Sequence, residues 1–218
     1  MSATRGGRRL ALVVWTRAIL LKDEVVAQNV TPELVKLAPE MSTVLASYTD
    51  AKTAQAKSDA ALYALLKFPD LTPLVGAGIP SFTTPEEIDY YFEASWWCRP
   101  AETVYDNDGN QVPKEVVAPG FLTPEALATA RRERSKLISL GNAKTFLGHQ
   151  VWAWAKRAPE DPRIPEALFI AIKANEGYKY GCDMWEGDDE LRAQLTELLN
   201  QRYQQSPWTA KLAAEQDP

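Results

Sequence analysis

Ala153-Trp154-Ala155-Lys156-Arg157-Ala158-Pro159-Glu160-Asp161-Pro162-Arg163-Ile164-Pro165-Glu166-Ala167-Leu168 is the stretch that decides the fold class. Upstream of it, Phe146, Val151, Trp154 and Ala155 recur at helical spacing and run into Pro159 and Pro162, which cannot continue a helix. Ile164-Pro165-Glu166 then starts another one. Proline loses no hydrogen bond in a first turn, and a carboxylate there favours the positive end of the helix dipole. Leu168 and Ile172, with the small Ala167 and Ala171, carry the second apolar face toward Gly177 or Gly181. The unit is helix, short turn, helix.

Working outward, the same kind of start recurs at Thr31-Pro32-Glu33, Thr84-Pro85-Glu86 and Thr123-Pro124-Glu125. Each offers a hydroxyl for the N-cap, proline at the first helical position and an acid in the first turn, and Glu87 completes a capping box in the second copy. Apolar faces follow at Leu12, Trp15 or Thr16, and Ile19, and at Ala61, Leu62, Leu65 and Leu66, the latter ended by Phe68-Pro69. Further faces are Leu127, Ala130, Arg134 and Leu137, stopped before Gly141, and Leu191, Leu195, Leu198, Leu199 and Tyr203, stopped by Pro207. About eight helices with short connections predict an all-α chain, a single helical domain over 1–218. Residues 94–121 are the exception. Thr103-Val104-Tyr105 and Gln111-Val112-Pro113 flank Asp106-Asn107-Asp108-Gly109-Asn110, which predicts an irregular loop or small β-hairpin insertion.

Composition narrows the function classes. The chain has 218 residues, 45% hydrophobic, enough for a sizeable core. Lys and Arg number 24 against 29 Asp and Glu, a net charge of −5, which argues against nucleic-acid binding. The basic groups Arg5, Arg8, Arg9 and Arg131, Arg132, Arg134 carry no interleaved aromatics. The apolar run from Leu10 to Leu21 is interrupted by Arg17 and is too short to span a bilayer, so it reads as a core helix with no direct membrane insertion.

Candidate chemistry is sparse. Cys98, Cys182 and His149 are too few and too scattered for a zinc site, so the cysteines read as structural thiols or one disulfide. An EF-hand register with Gly109 at position 6 places Val104 at position 1, where no side-chain oxygen is available, so residues 106–110 read as a hairpin turn. Asp183, Glu186, Asp188, Asp189 and Glu190 read as a solvated helix start, and His149 as a packed or capping residue. The sequence implies no metal and no cofactor. Glu86, Glu87, Asp89 and Glu93 near Trp96 and Trp97 leave one enzymatic alternative, an all-α carbohydrate-active hydrolase or lyase working with paired carboxylates.

The phrases around the opening stretch carry a resemblance. Residues 142–214, with Pro162-Arg163-Ile164-Pro165-Glu166-Ala167-Leu168 between helices and Arg202-Tyr203-Gln204-Gln205-Ser206-Pro207-Trp208 after one, resemble tetratricopeptide-like helical-hairpin repeats. With the helix Trp15 to Leu21 and the segment Trp96-Trp97-Cys98, the chain is similar to the C-terminal part of large uncharacterised bacterial envelope proteins. The resemblance implies stacked antiparallel helical hairpins, α-solenoid-like, and a non-enzymatic protein–protein interaction scaffold. It implies residence in the periplasm or cell envelope as part of a longer exported protein, and otherwise in the cytoplasm. Helical hairpins leave extended surfaces for a protein partner. Aromatics at the irregular segment, Tyr90, Tyr91, Trp96 and Trp97, are the expected anchors.

Overall fold

The structure, a computed structural model, describes residues 2–73, 96–98, 103–113, 120–176 and 188–216. Among them are nine α-helices and a two-stranded sheet. The helices are α1 (Ser2–Leu21), α2 (Glu24–Leu37), α3 (Ser42–Asp50), α4 (Ala54–Lys67), α5 (Pro124–Ser139), α6 (Ala143–Arg157), α7 (Ile164–Ala174), α8 (Asp189–Arg202) and α9 (Pro207–Gln216). Strands β1 (Thr103–Tyr105) and β2 (Gln111–Pro113) lie between α4 and α5. The expectation of a mostly helical chain holds. The hairpin holds too: β1 and β2 pair antiparallel with Val104 opposite Val112.

The short connections make neighbouring helices fold back on one another. Arg8 pairs with Glu40 just beyond α2, and Trp15 Nε1 donates to Thr31 Oγ1 at 3.1 Å, so α1 and α2 run antiparallel. Asn175, just after α7, donates from Nδ2 to the Lys144 carbonyl in the first turn of α6, which makes those two antiparallel as well. α4 joins the two halves. Its Asp59 pairs with Arg157 at the end of α6, while Tyr63 and Lys67 reach Glu166 in the first turn of α7. Most of the buried apolar side chains among the described residues form one cluster from Leu12 to Leu212. Trp15 and Trp154 are wholly enclosed in it, as packing anchors should be.

Three helix boundaries differ from the sequence reading. Thr31-Pro32-Glu33 does not start a helix: Asp23 caps α2 by accepting from Val26 N, and Pro32 lies inside it. Thr31 spends its hydroxyl on tertiary packing, accepting from Trp15 and donating to the Ala27 carbonyl at 2.7 Å. Pro207 does not stop the Leu191 helix, which ends at Arg202; it opens α9 instead. α1 begins well before Leu10, at Ser2. Thr123-Pro124-Glu125 does act as predicted, with Thr123 Oγ1 accepting from Ala126 N, whereas Thr84-Pro85-Glu86 lies outside the described residues.

Candidate functional site

The end of α1, the α1–α2 turn, α4 and the outer part of α6 enclose a cleft of roughly 340 Å³. Its apolar lining includes Ile19, Ala61, Leu62, Leu65 and Phe146. The turn at its mouth follows from the way α1 ends. Asp23 N–H bonds to the Ala18 carbonyl at 2.8 Å and Lys22 N–H to the Ile19 carbonyl at 3.1 Å, the paired bonds of a Schellman motif. That motif needs a left-handed residue, and here it is a lysine, Lys22, at φ 60°. Glycine is the usual occupant because it has no Cβ to clash.

Three carboxylates line the cleft. Asp23 is occupied by its capping bond. Glu24 accepts from Lys57 Nζ at 2.8 Å, and this contact holds its carboxyl below the usual range. Asp59 is the buried one, with its side chain 9% exposed. Gln55 Nε2 and Arg157 Nη2 both donate to its Oδ1. Burial pushes Asp59 upward more than Gln55, Arg157 and Arg163 pull it down. Behind it, Asp161 is gripped by the Arg163 guanidinium at 2.9 and 2.6 Å, and the arginine lies 5.0 Å from the centre of the Trp154 ring. Burial alone would raise Asp161; the hydrogen bonds and charge of Arg163 outweigh it and lower the group.

Of the four aromatics expected to form a partner surface, the structure describes two. Trp96 and Trp97 are core residues, each 6% exposed, so they root the irregular segment and do not project from it. The reason is physical: two indoles gain more from apolar burial than from exposure to water, and the Trp97 carbonyl ties the segment to α6 by accepting from Ala143 N at 3.1 Å. Tyr90, Tyr91 and the acids Glu86, Glu87, Asp89 and Glu93 lie outside the described residues. Cys98 is disulfide-bonded; the only other cysteine in the sequence, Cys182, also lies outside them. Aromatic exposure instead falls on Tyr105 in β1, 71% exposed, and on Phe121 ahead of α5, 84% exposed.

The remaining candidates resolve locally. Asp106 turns its carboxylate onto its own loop, accepting from Asp108 N and Asn110 N, and those backbone bonds lower its pKa. Gly109 supplies the left-handed turn residue at φ 81°. Asp188 caps α8 by accepting from Leu191 N. His149 is not packed: its side chain is 58% exposed, with Nε2 3.7 Å from Asp188 Oδ2. Sequence reasoning missed the cleft. The signal for it was Asp59, a lone acid on the same helical stripe as Leu62 and Leu66.

No protein-family profile, no curated protein and no solved structure matches this chain.

Proposed function

We propose that the chain is a helical interaction module that holds a protein partner through the irregular segment between α4 and α5. Exposed Tyr105 and Phe121, with Val104 41% exposed next to Tyr105 in β1, are the observation that carries this reading. Large aromatics left in water next to an ordered hairpin are the kind of group that dominates interface energetics. Trp96 and Trp97, upstream in the same stretch, are buried in the core. The antiparallel pairing of α6 with α7 fits the tetratricopeptide-like arrangement expected over 142–214. The disulfide at Cys98 favours an oxidising compartment such as the periplasm. No described helix is long and apolar enough to cross a membrane.

The test is site-specific photo-crosslinking from position 105 or 121 in the full chain, in cells of its source. A discrete crosslinked protein is expected from both positions. Its capture is lost in a Tyr105→Ala, Phe121→Ala double variant whose unfolding free energy stays within about 0.5 kcal/mol of the parent. Absence of a common partner at the two positions overturns the reading.

A further inference from the structure

The hairpin between α4 and α5 leaves one of its edges open to a third strand. In an antiparallel pair, opposed residues that exchange main-chain hydrogen bonds alternate with opposed residues that do not. Asp106 N–H bonds to the Asn110 carbonyl at 2.9 Å, which sets the phase. Counting back through the register, Tyr105 and Gln111 exchange no bond, Val104 and Val112 are a bonded pair, and Thr103 and Pro113 again exchange none. The N–H and carbonyl groups of Thr103 and Tyr105 therefore point away from β2. They bond to no described residue, and all three residues of β1 are exposed.

The two edges are not alike. On β2 the residue opposite Thr103 is Pro113, which has no N–H to offer, and proline is a common device for closing a sheet edge. β1 reads Thr-Val-Tyr, with neither proline nor charge and every residue strand-prone. Gln111 Nε2 donates to the Tyr105 hydroxyl at 3.3 Å, which draws that ring toward β2 and away from the open edge. Charge says what kind of strand fits. Residues 103–113 include Asp106 and Asp108, both exposed in the turn, and no Lys or Arg.

We propose that an extended segment of a protein partner adds to the Thr103–Tyr105 edge as a third strand. The segment is basic at the end beside the Asp106–Asp108 turn and apolar where it lies beside Val104, which is 41% exposed. In strand addition the main-chain bonds give affinity and side chains at alternate positions give selectivity. The inference rests on the reading above, that this segment holds a partner, and adds the manner of holding. A second copy of the chain suits the edge less well, because its own β1 carries no cation to meet the acidic turn.

The probe is a short blocked peptide of alternating valine and threonine ended by one lysine, titrated into the full chain and followed by amide NMR. Saturable shifts are expected at Thr103 and Tyr105, with slowed hydrogen exchange at both amides. Val104, already bonded within the hairpin, should change little. The peptide with every amide N-methylated is expected to bind about tenfold more weakly, and a version with glutamate for lysine about threefold more weakly. Thr103→Pro copies on β1 what Pro113 does on β2, at a position where the hairpin loses no bond, and is expected to weaken the peptide about tenfold. Thr103→Ala keeps the donor and binds as the parent does. If Val104 exchange shows that Thr103→Pro disturbs the hairpin, the N-methylated peptide decides alone. No saturable binding, equal binding of the N-methylated peptide, or full binding by Thr103→Pro with an intact hairpin overturns the inference. A parent dimer that Thr103→Pro abolishes overturns it too, and gives the edge to a second copy. A common partner crosslinked from positions 105 and 121 alongside any of these results preserves the earlier reading, with side chains alone holding the partner.

Discussion

Asp59 and Asp161 sit in one charge network and are shifted in opposite directions. Asp59 is raised because burial dominates, so its ionised form burdens the fold, and that burden is relieved as pH falls through its raised pKa toward the ordinary 3.8. Asp161 is lowered, because Arg163 outweighs burial, so it contributes stability above 3.8 that is lost as pH falls through its own lower value. The two variants should therefore diverge. Chemical denaturation from pH 7 to pH 3 should show the parent gaining on Asp59→Asn as pH drops. Asp161→Asn should be less stable than the parent by about 1.5–3 kcal/mol at pH 7, with the deficit closing in the most acidic samples. Parallel curves for both variants would mean that neither carboxylate is perturbed by folding.

Among the helices, α2 carries the least comfortable sequence. Pro32 lies in its interior and is exposed, so it removes a backbone hydrogen bond without burying its ring. Pro32→Ala should raise the unfolding free energy by about 1–3 kcal/mol, read by urea titration. A loss would show that the proline sets a bend the packing of α1 on α2 requires. The same element shows where sequence reading reaches its limit. Thr123-Pro124-Glu125 and Thr31-Pro32-Glu33 are alike as local signals, yet only the first begins a helix. Thr31 faces the buried indole of Trp15, and that tertiary bond overrides the local preference. The hairpin was legible because its turn chemistry is local, with Gly109 left-handed and Asp106 bonding its own loop. Apolar stripes such as Leu191, Leu195 and Leu199 were legible for the same reason, since spacing alone places them on one face. The cleft was not. It is lined by the end of α1, the α1–α2 turn, α4 and α6, and which of their side chains meet there is set by packing between elements far apart in the chain.

On the scale of the whole molecule, a few long-range ties hold the helices in place. Arg17, which interrupts the apolar run of α1, reaches α5 by donating to Glu133 Oε2 at 2.8 Å. Lys173 at the end of α7 is pulled down by burial but raised more strongly by Glu176 and Glu215, the latter fixing α9 at 2.8 Å. The disulfide at Cys98 adds a covalent constraint next to Trp96 and Trp97. Reducing it should lower the unfolding free energy by about 2–4 kcal/mol, measured by denaturation with and without a phosphine reductant. An unchanged curve would show that the core holds the segment without the bridge. The bond from Ala143 N to the Trp97 carbonyl has a separate consequence. Asn142 makes no side-chain cap for α6, so a main-chain oxygen from a distant stretch does the work that a threonine does for α5. Excising that stretch would leave an orphan donor in the opening coil of α6, and unwinding would begin there, on the same rod that carries Gln150 and Arg157.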